Sequence, residues 1–527
     1  VQRTQLKHND TGFFSKTVTD YLSGNESLRP FYKYEPILEN FADVIQDKQT
    51  NFQHRDVLVK ALEEQYTSNG LAIPENVKLL ANENAFTVTT GHQLCLFTGP
   101  LYFLYKIVSV INLAKKLKAQ HSNYEFVPVF WMATEDHDFE EINHINLFGE
   151  KVVWEQEKGG AVGRLNTATI ANALEQIKAK LGDSEQALQL ISLLEKAYTE
   201  QRDLASATRY LVSELFAESG LVIVDGDDAR LKQLFKPIMQ EELLQNGSFE
   251  AVNKTNENLS NKYKLQVNPR EINLFYLQDG IRERIVMEGG SYKVNNSSIK
   301  FSESEILEEL EQFPERFSPN VILRPVYQEC ILPNLAYIGG GGELAYWFQL
   351  KGVFDHFKIN YPILLLRSSV LWIDKGTAGK MQKLGLKAAE LFTETEELVT
   401  TFVRQQSTND TSLQTEAELL KTYYIQLSEK ISSIDPSLKQ AAIAQQQKAL
   451  NGIEDLEKRL VKAEKRQQET GVNQLRKLKE RLFPNGSLQE RHNNFIPFYL
   501  KYGSNFVAKL SDQLDPLDFH FTVLSED

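Results

Sequence analysis

The chain has 527 residues, 42% hydrophobic and 24% charged, and its 58 basic and 71 acidic side chains leave a net charge of −13. That length holds one large core plus an appended module, or two to three domains, and the acidic balance argues against a broad nucleic-acid footprint, which needs surplus Lys and Arg. Cys95 and Cys330 are the only cysteines, which excludes a disulfide framework and an all-cysteine zinc site, and no apolar run approaches the roughly 20 residues of a bilayer span.

Val1 to His8 show no apolar secretory stretch, so a cytoplasmic location is expected. Residues 30–80 read as mainly helical, with Val57, Leu58, Ala61 and Leu62 at helical spacing among charged neighbours. The run Ala85-Phe86-Thr87-Val88-Thr89 reads as a buried strand ending in Thr90-Gly91-His92-Gln93. Glycine there would let the backbone turn sharply into a helix starting near Pro100, with Leu101, Leu104, Tyr105, Val108, Ile111 and Leu117 on its packed face. A second buried strand, Phe126 to Ala133, ends in the cluster Glu135-Asp136-His137-Asp138. Strand, helix and strand form one right-handed βαβ unit. Both polar tips then fall at the carboxyl edge of a parallel sheet, where such folds bind ligands.

A further buried strand is expected at Leu221 to Val224. Two stretches, 145–215 and 245–319, read as insertions, the second carrying strands over Ile272–Leu277 and Ile281–Val286 with a hairpin at Asp279-Gly280. After the apolar Ala336-Tyr337-Ile338 come Gly339, Gly340, Gly341 and Gly342, then Glu343 and an aromatic helix. Beyond Arg367 the composition shifts to Lys, Glu, Gln, Leu and Ala. There Ala449, Ile453, Leu456, Leu460 and Ala463 recur at heptad-like spacing, and a hinge falls at Ile434-Asp435-Pro436-Ser437. The division expected is a core over 1–370, a helical coiled-coil arm over 371–483, and a segment over 484–527 that packs back on the core.

Several of these segments carry a resemblance. Thr90-Gly91-His92-Gln93 with Leu96-Phe97-Thr98-Gly99-Pro100-Leu101-Tyr102, Pro128-Val129-Phe130-Trp131 through Glu135-Asp136-His137-Asp138, Leu323-Arg324-Pro325, Ala336-Tyr337-Ile338-Gly339-Gly340 with Glu343-Leu344-Ala345-Tyr346-Trp347, and Gln489-Glu490-Arg491 together resemble the bacillithiol-biosynthesis cysteine-adding enzymes. The likeness covers nearly the whole chain. It implies an α/β, Rossmann-like core similar to class I aminoacyl-tRNA synthetases, a coiled-coil arm, a homodimer formed through it, and addition of L-cysteine to glucosaminyl-malate. The family commonly carries Gln where this chain has His92.

Joining a carboxylate to an amine at neutral pH requires activating the carboxylate, as a mixed anhydride with AMP does. On that reading His92, with Thr90 and the helix N-terminus, binds the phosphate region, and Gly91 and Gln93 line the same pocket. Glu135, Asp136, His137 and Asp138 offer a general base, carboxylates for substrate amines, or magnesium ligands. A capped helix start is the other reading of Asp136 and Asp138. Asn143 and His144 follow at helical distance, with a structural role equally open for His144. The glycine run reads as a phosphate or ribose cradle or as a tight turn, and fits neither G-x-G-x-x-G nor G-x-x-x-x-G-K-[ST]. Arg324 and Arg367-Ser368 can neutralise carboxylates or phosphates, or form a buried salt bridge. Lys380-Met381-Gln382-Lys383 is discounted as a synthetase lysine loop, because helix-compatible residues follow it. ATP and Mg are therefore the cofactors this chemistry admits, zinc is disfavoured, and no metal site is assigned. The expected partners are L-cysteine and glucosaminyl-malate, without nucleic acid or membrane. The competing readings are a catalytically inactive, synthetase-like nucleotide-binding protein and a class I tRNA synthetase.

Overall fold

The computed structural model describes residues 1–156, 159–407 and 412–526. The chain divides into two units, one of residues 5–371 with 489–522, the other of residues 1–4, 372–488 and 523–527.

The larger unit is built on five parallel strands, β1 (Ala85–His92), β2 (Glu125–Met132), β3 (Val222–Asp225), β4 (Asn334–Gly339) and β5 (Ile363–Leu366), in the order β5-β4-β1-β2-β3. Every residue of β1 is buried, as expected of a strand covered on both faces. Its threonines are tolerated there because each hydroxyl has a partner. Thr87 and Thr89 donate to Asn334 Oδ1 at 3.1 and 2.8 Å, and Thr90 donates to the Ile338 carbonyl at 2.7 Å. The chain progresses from β1 to β3 in one direction, then crosses to lay β4 and β5 on the other side of β1. The resulting reversal of strand order opens a crevice between the carboxyl ends of β1 and β4.

Helix α1 (Tyr102–Gln120) makes the β1-to-β2 crossover and buries the expected apolar face. The sharp turn, however, is not at Gly91, which lies within β1. The chain reverses at Phe97, Thr98 and Gly99, all at positive φ. Asn494 holds that reversal by donating Nδ2 to the carbonyls of Phe97 and Gly99 at 2.9 and 2.6 Å. The strand could not turn earlier without losing the pairing of Gly91 with Trp131 and of His92 with Met132.

Among its described residues the stretch 145–215 supplies a short hairpin, two 3-10 turns and three α-helices. The stretch 245–319 supplies the helices Gly247–Leu259 and Glu303–Gln312 and all of a five-stranded antiparallel sheet, ordered Lys300–Phe301, Ser291–Val294, Ile281–Glu288, Leu274–Gln278 and Phe317–Pro319. Gln278 pairs with Ile281 across Asp279-Gly280, with Gly280 at φ 73° as such a tight hairpin requires.

In the smaller unit, helices Gln414–Ile434 and Lys439–Gln467 pack together around the expected break at Asp435-Pro436. Among the described residues their apolar seam is not closed. Leu456 and Leu460 are exposed, as are Leu419 and Tyr423, while Ala442 and Val461 are buried. Lys380 to Lys383 lie inside the helix Lys375–Leu384. No helix among the described residues is long and apolar enough to cross a membrane.

Gly99 combines φ 66° and ψ −138°, a region open only to glycine, with a space where a Cβ would lie 2.5 Å from Cys95 Cβ. Gly99→Ala is therefore expected to cost at least ~2 kcal/mol in urea unfolding; an unchanged midpoint would show that the reversal is not rigid.

Candidate active site

A cavity of about 580 Å³ opens at the carboxyl edge of the parallel sheet, within the larger unit. The tips of β1 and β2 form one wall, the antiparallel sheet forms the facing wall through Phe275, Arg282 and Arg284 with Arg270 from the loop before it, and Arg324, Tyr337, Glu343 and Tyr346 lie at the crevice beside β4.

Asp136 ties the walls together. It accepts hydrogen bonds from Gln93 Nε2 and, at 2.8 Å, from the backbone N–H of His137, and it lies 3.5 Å from the Arg282 guanidinium. Burial works against its charge, but His137, the Arg282 cation and Gln93 outweigh it and hold the carboxyl well below the usual range. Arg282 also donates to His137 Nδ1 at 2.6 Å. Glu135 is buried beside it and pairs with Lys232, a fully buried lysine. Glu141 also lines the cavity, its pKa raised by burial and then by Asp138 and Asp136.

Asp138 is not among the residues lining this cavity. Its Oδ1 caps the short helix Phe139–Ile142 by accepting the Glu141 N–H at 3.2 Å, so its placement follows the helix-cap reading. Asn143 and His144 also lie outside the cavity lining, joined to each other by a 3.0 Å side-chain contact at the start of a hairpin.

His92 lines the cavity, but its chemistry differs from that of a phosphate donor. Nδ1 donates to the Gln93 carbonyl at 2.7 Å, and burial followed by the Lys106 charge lowers the pKa to about 3. At neutral pH the ring is uncharged and presents Nε2 as an acceptor. Thr90 faces the sheet interior, and Gly91 gives its carbonyl to Lys106 Nζ at 2.6 Å.

At the crevice, Glu343 takes Lys106 Nζ at 2.5 Å, Tyr337 OH at 2.6 Å and the Gly340 N–H at 2.8 Å. Burial opposes its charge, yet Lys106 leads the contacts that keep its pKa low. The glycine run is thus the self-capped start of helix Gly341–Gln349, and none of Gly339 to Gly342 lines the cavity. An N-terminus already holding its own carboxylate is a poor phosphate cradle.

Arg367 and Ser368 also lie apart from the cavity lining. Arg367 forms a buried salt bridge with Glu490 at 2.7 Å, and Glu490 accepts the Val370 N–H at 2.8 Å. Arg324 behaves differently. It lies between the rings of Trp131 and Tyr337, donates Nη1 to Gln328 at 3.0 Å, and keeps Nη2 buried without a hydrogen-bond partner. Two acceptors on residues that line the same cavity, His92 Nε2 and Gln93 Oε1, are likewise buried without a partner. Among the described residues Arg270, Arg284 and Arg324 form no ion pair with a carboxylate.

Arg270, Arg282, Arg284, Lys106 and Lys232 were not identified from the sequence as site residues. Arg282 and Arg284 had a usable signal, since residues two apart on a strand share a face. Lys106 and Lys232 had none beyond lysines within apolar helix patterns. No group of three or more His, Cys, Asp or Glu side chains placed to hold a metal ion occurs among the described residues.

Comparison with known proteins agrees with this organisation. Residues 1–368 match the family description "Bacillithiol biosynthesis BshC, N-terminal Rossmann-like domain", and residues 370–526 match "Bacillithiol biosynthesis BshC, C-terminal coiled-coil domain". Proteins named "Putative cysteine ligase BshC" are similar along their whole length. The one from Flavobacterium johnsoniae is 48% identical over 99% of both chains, and the one from Flavobacterium psychrophilum is 46% identical over 98% of both. A solved chain titled as a putative arginyl t-RNA synthetase from Campylobacter jejuni aligns over 82% of this chain and 93% of its own at 11% identity, with a TM-score of 0.22, too low to bear on the fold.

The His92 environment predicts a pH effect. Its pKa is about 3 when folded against 6.5 for the free group, so between those values the unfolded chain binds more protons and stability falls as pH falls. Relative to His92→Gln, the wild type is expected to lose about 2 kcal/mol of unfolding free energy between pH 7 and pH 5. Equal losses in urea titrations of the two proteins would contradict a buried neutral ring.

Proposed function

The chain belongs to the bacillithiol-biosynthesis BshC family of ligases, and from that membership we propose that it joins L-cysteine to the amine of glucosaminyl-malate, giving bacillithiol. The acceptor carries two carboxylates and one amine, and the cavity divides its charge in the same way. Arg324, Arg270 and Arg284 receive the malate carboxylates, and the amine lies toward Glu135 and Asp136. The observation that carries this reading is the set of unmet polar groups at one cavity: a guanidinium donor on Arg324 and two acceptors on His92 and Gln93. A ligand that is both anionic and rich in N–H or O–H donors satisfies all three.

In the ligation step the amine nitrogen attacks the carbonyl carbon of an activated cysteinyl group. The C–N bond forms, the leaving group departs with its electron pair, and the nitrogen loses a proton. Asp136, held ionised, serves as a charge partner for the amine and is too weak a base to take that proton. Glu135 lies next to it at the cavity and takes the proton in this reading. ATP, with Mg, is the co-substrate that would supply activation. The glycine run, capped by Glu343, does not fit the phosphates as arranged, so no step is assigned to it. The apolar side chains left exposed on the helical arm, Leu456 and Leu460 among them, support association of two copies through it.

Purified protein with cysteine, glucosaminyl-malate and ATP should yield bacillithiol by mass spectrometry, and omitting ATP should abolish it. Arg324→Leu should lower kcat/KM for glucosaminyl-malate at least roughly tenfold, about 1.4 kcal/mol, mostly through KM. Nucleotide binding without product would favour an inactive nucleotide-binding protein instead.

A further inference from the structure

Glu135 is held by a residue that does not line the cavity. Lys232 lies on the helix Ala229–Gln245, on the face that also buries Leu231, Phe235 and Met239, and its side chain is fully buried. Its Nζ donates to Glu135 Oε1 and, at 2.6 Å, to the carbonyl of Phe317, and it lies 5.5 Å from the Tyr327 ring centroid. Phe317 begins the edge strand Phe317–Pro319, whose end and successors, Pro319 to Val321, line the cavity. One ammonium group therefore joins the β2 tip to the edge of the antiparallel sheet.

A buried ion pair is a weak source of stability, because desolvating both charges offsets their attraction; well-packed apolar groups of similar volume often do as well. What this pair does supply is direction. With Oε1 fixed by Lys232, the carboxylate of a cavity-lining residue has one oxygen, Oε2, left for a ligand. We propose that Lys232 is a positioning residue, which fixes Glu135 so that its second oxygen meets the acceptor amine. The inference rests on the ligase reading above and deepens it. Lys232 itself touches no substrate.

The test is a double-mutant cycle in the full-length protein, with ligation rates measured against both glucosaminyl-malate and cysteine. Lys232→Met should lower kcat/KM for glucosaminyl-malate at least roughly tenfold and leave KM for cysteine near the wild-type value, and Lys232→Arg should recover part of the loss. Glu135→Gln should show a similar loss, and the double variant should be no slower than Glu135→Gln alone. Because Lys232→Met strands a buried carboxylate and Glu135→Gln strands a buried ammonium, rates are compared only between variants whose circular dichroism shows them folded; the double variant, which carries neither charge, and Lys232→Arg, which keeps both, hold the test open if a single variant unfolds. A further tenfold loss in the double variant, or full activity in a folded Lys232→Met, overturns the positioning role alone. A wild-type protein that forms no product overturns the ligase reading and this inference with it.

Discussion

The site depends on one ionised carboxylate. Asp136 joins Gln93, just beyond the end of β1, to Arg282, on the antiparallel sheet, and takes the next backbone N–H as well. A half-buried carboxylate is costly unless its lone pairs are filled, and here its partners come from separate parts of the chain. Satisfying that charge brings two sheets of different architecture to face one another across a cavity. Loss of the carboxylate would leave Arg282 as an uncompensated buried cation, so the interaction is structural and electrostatic at once.

Charge across the cavity is unevenly compensated. Three of the acids are internally matched, Asp136 with Arg282, Glu135 with Lys232 and Glu343 with Lys106, while Glu141 has its charge disfavoured by burial and by Asp138 and Asp136. The basic side is not so matched, because Arg270, Arg284 and Arg324 lack carboxylate partners among the described residues. Such an arrangement favours an anionic ligand, and Arg324, flanked by Trp131 and Tyr337 and short of one hydrogen bond, gains most from it. The position at the β1–β4 reversal of strand order explains why residues so far apart in sequence can converge there.

The sequence made β1, β2 and β3 legible because they are continuous buried runs, and the Asp279-Gly280 hairpin legible because turn chemistry is local, whereas in the sequence β4 shows only as an apolar run before the glycines and β5 is not recognised as a strand. What it hid was non-local. The reversal at Phe97 to Gly99 depends on Asn494, and the role of Arg367 depends on Glu490. The glycine run looked like an open cradle, although the Gly340-to-Glu343 spacing of a helix cap was already present. Arg282 and Arg284 stood out only as polar residues on a strand, since nothing local says which sheet a ligand will meet. The heptad-like seam was visible, but only the structure shows that Leu456 and Leu460 on it stay exposed among the described residues.

The most direct test is an experimental structure of the protein with glucosaminyl-malate bound and cysteine withheld. The malate carboxylates should lie about 3 Å from Arg324 and from Arg270 or Arg284, with the amine directed at Glu135 and Asp136. Carboxylates turned toward Asp136, or a ligand bound away from this cavity, would contradict the assignment.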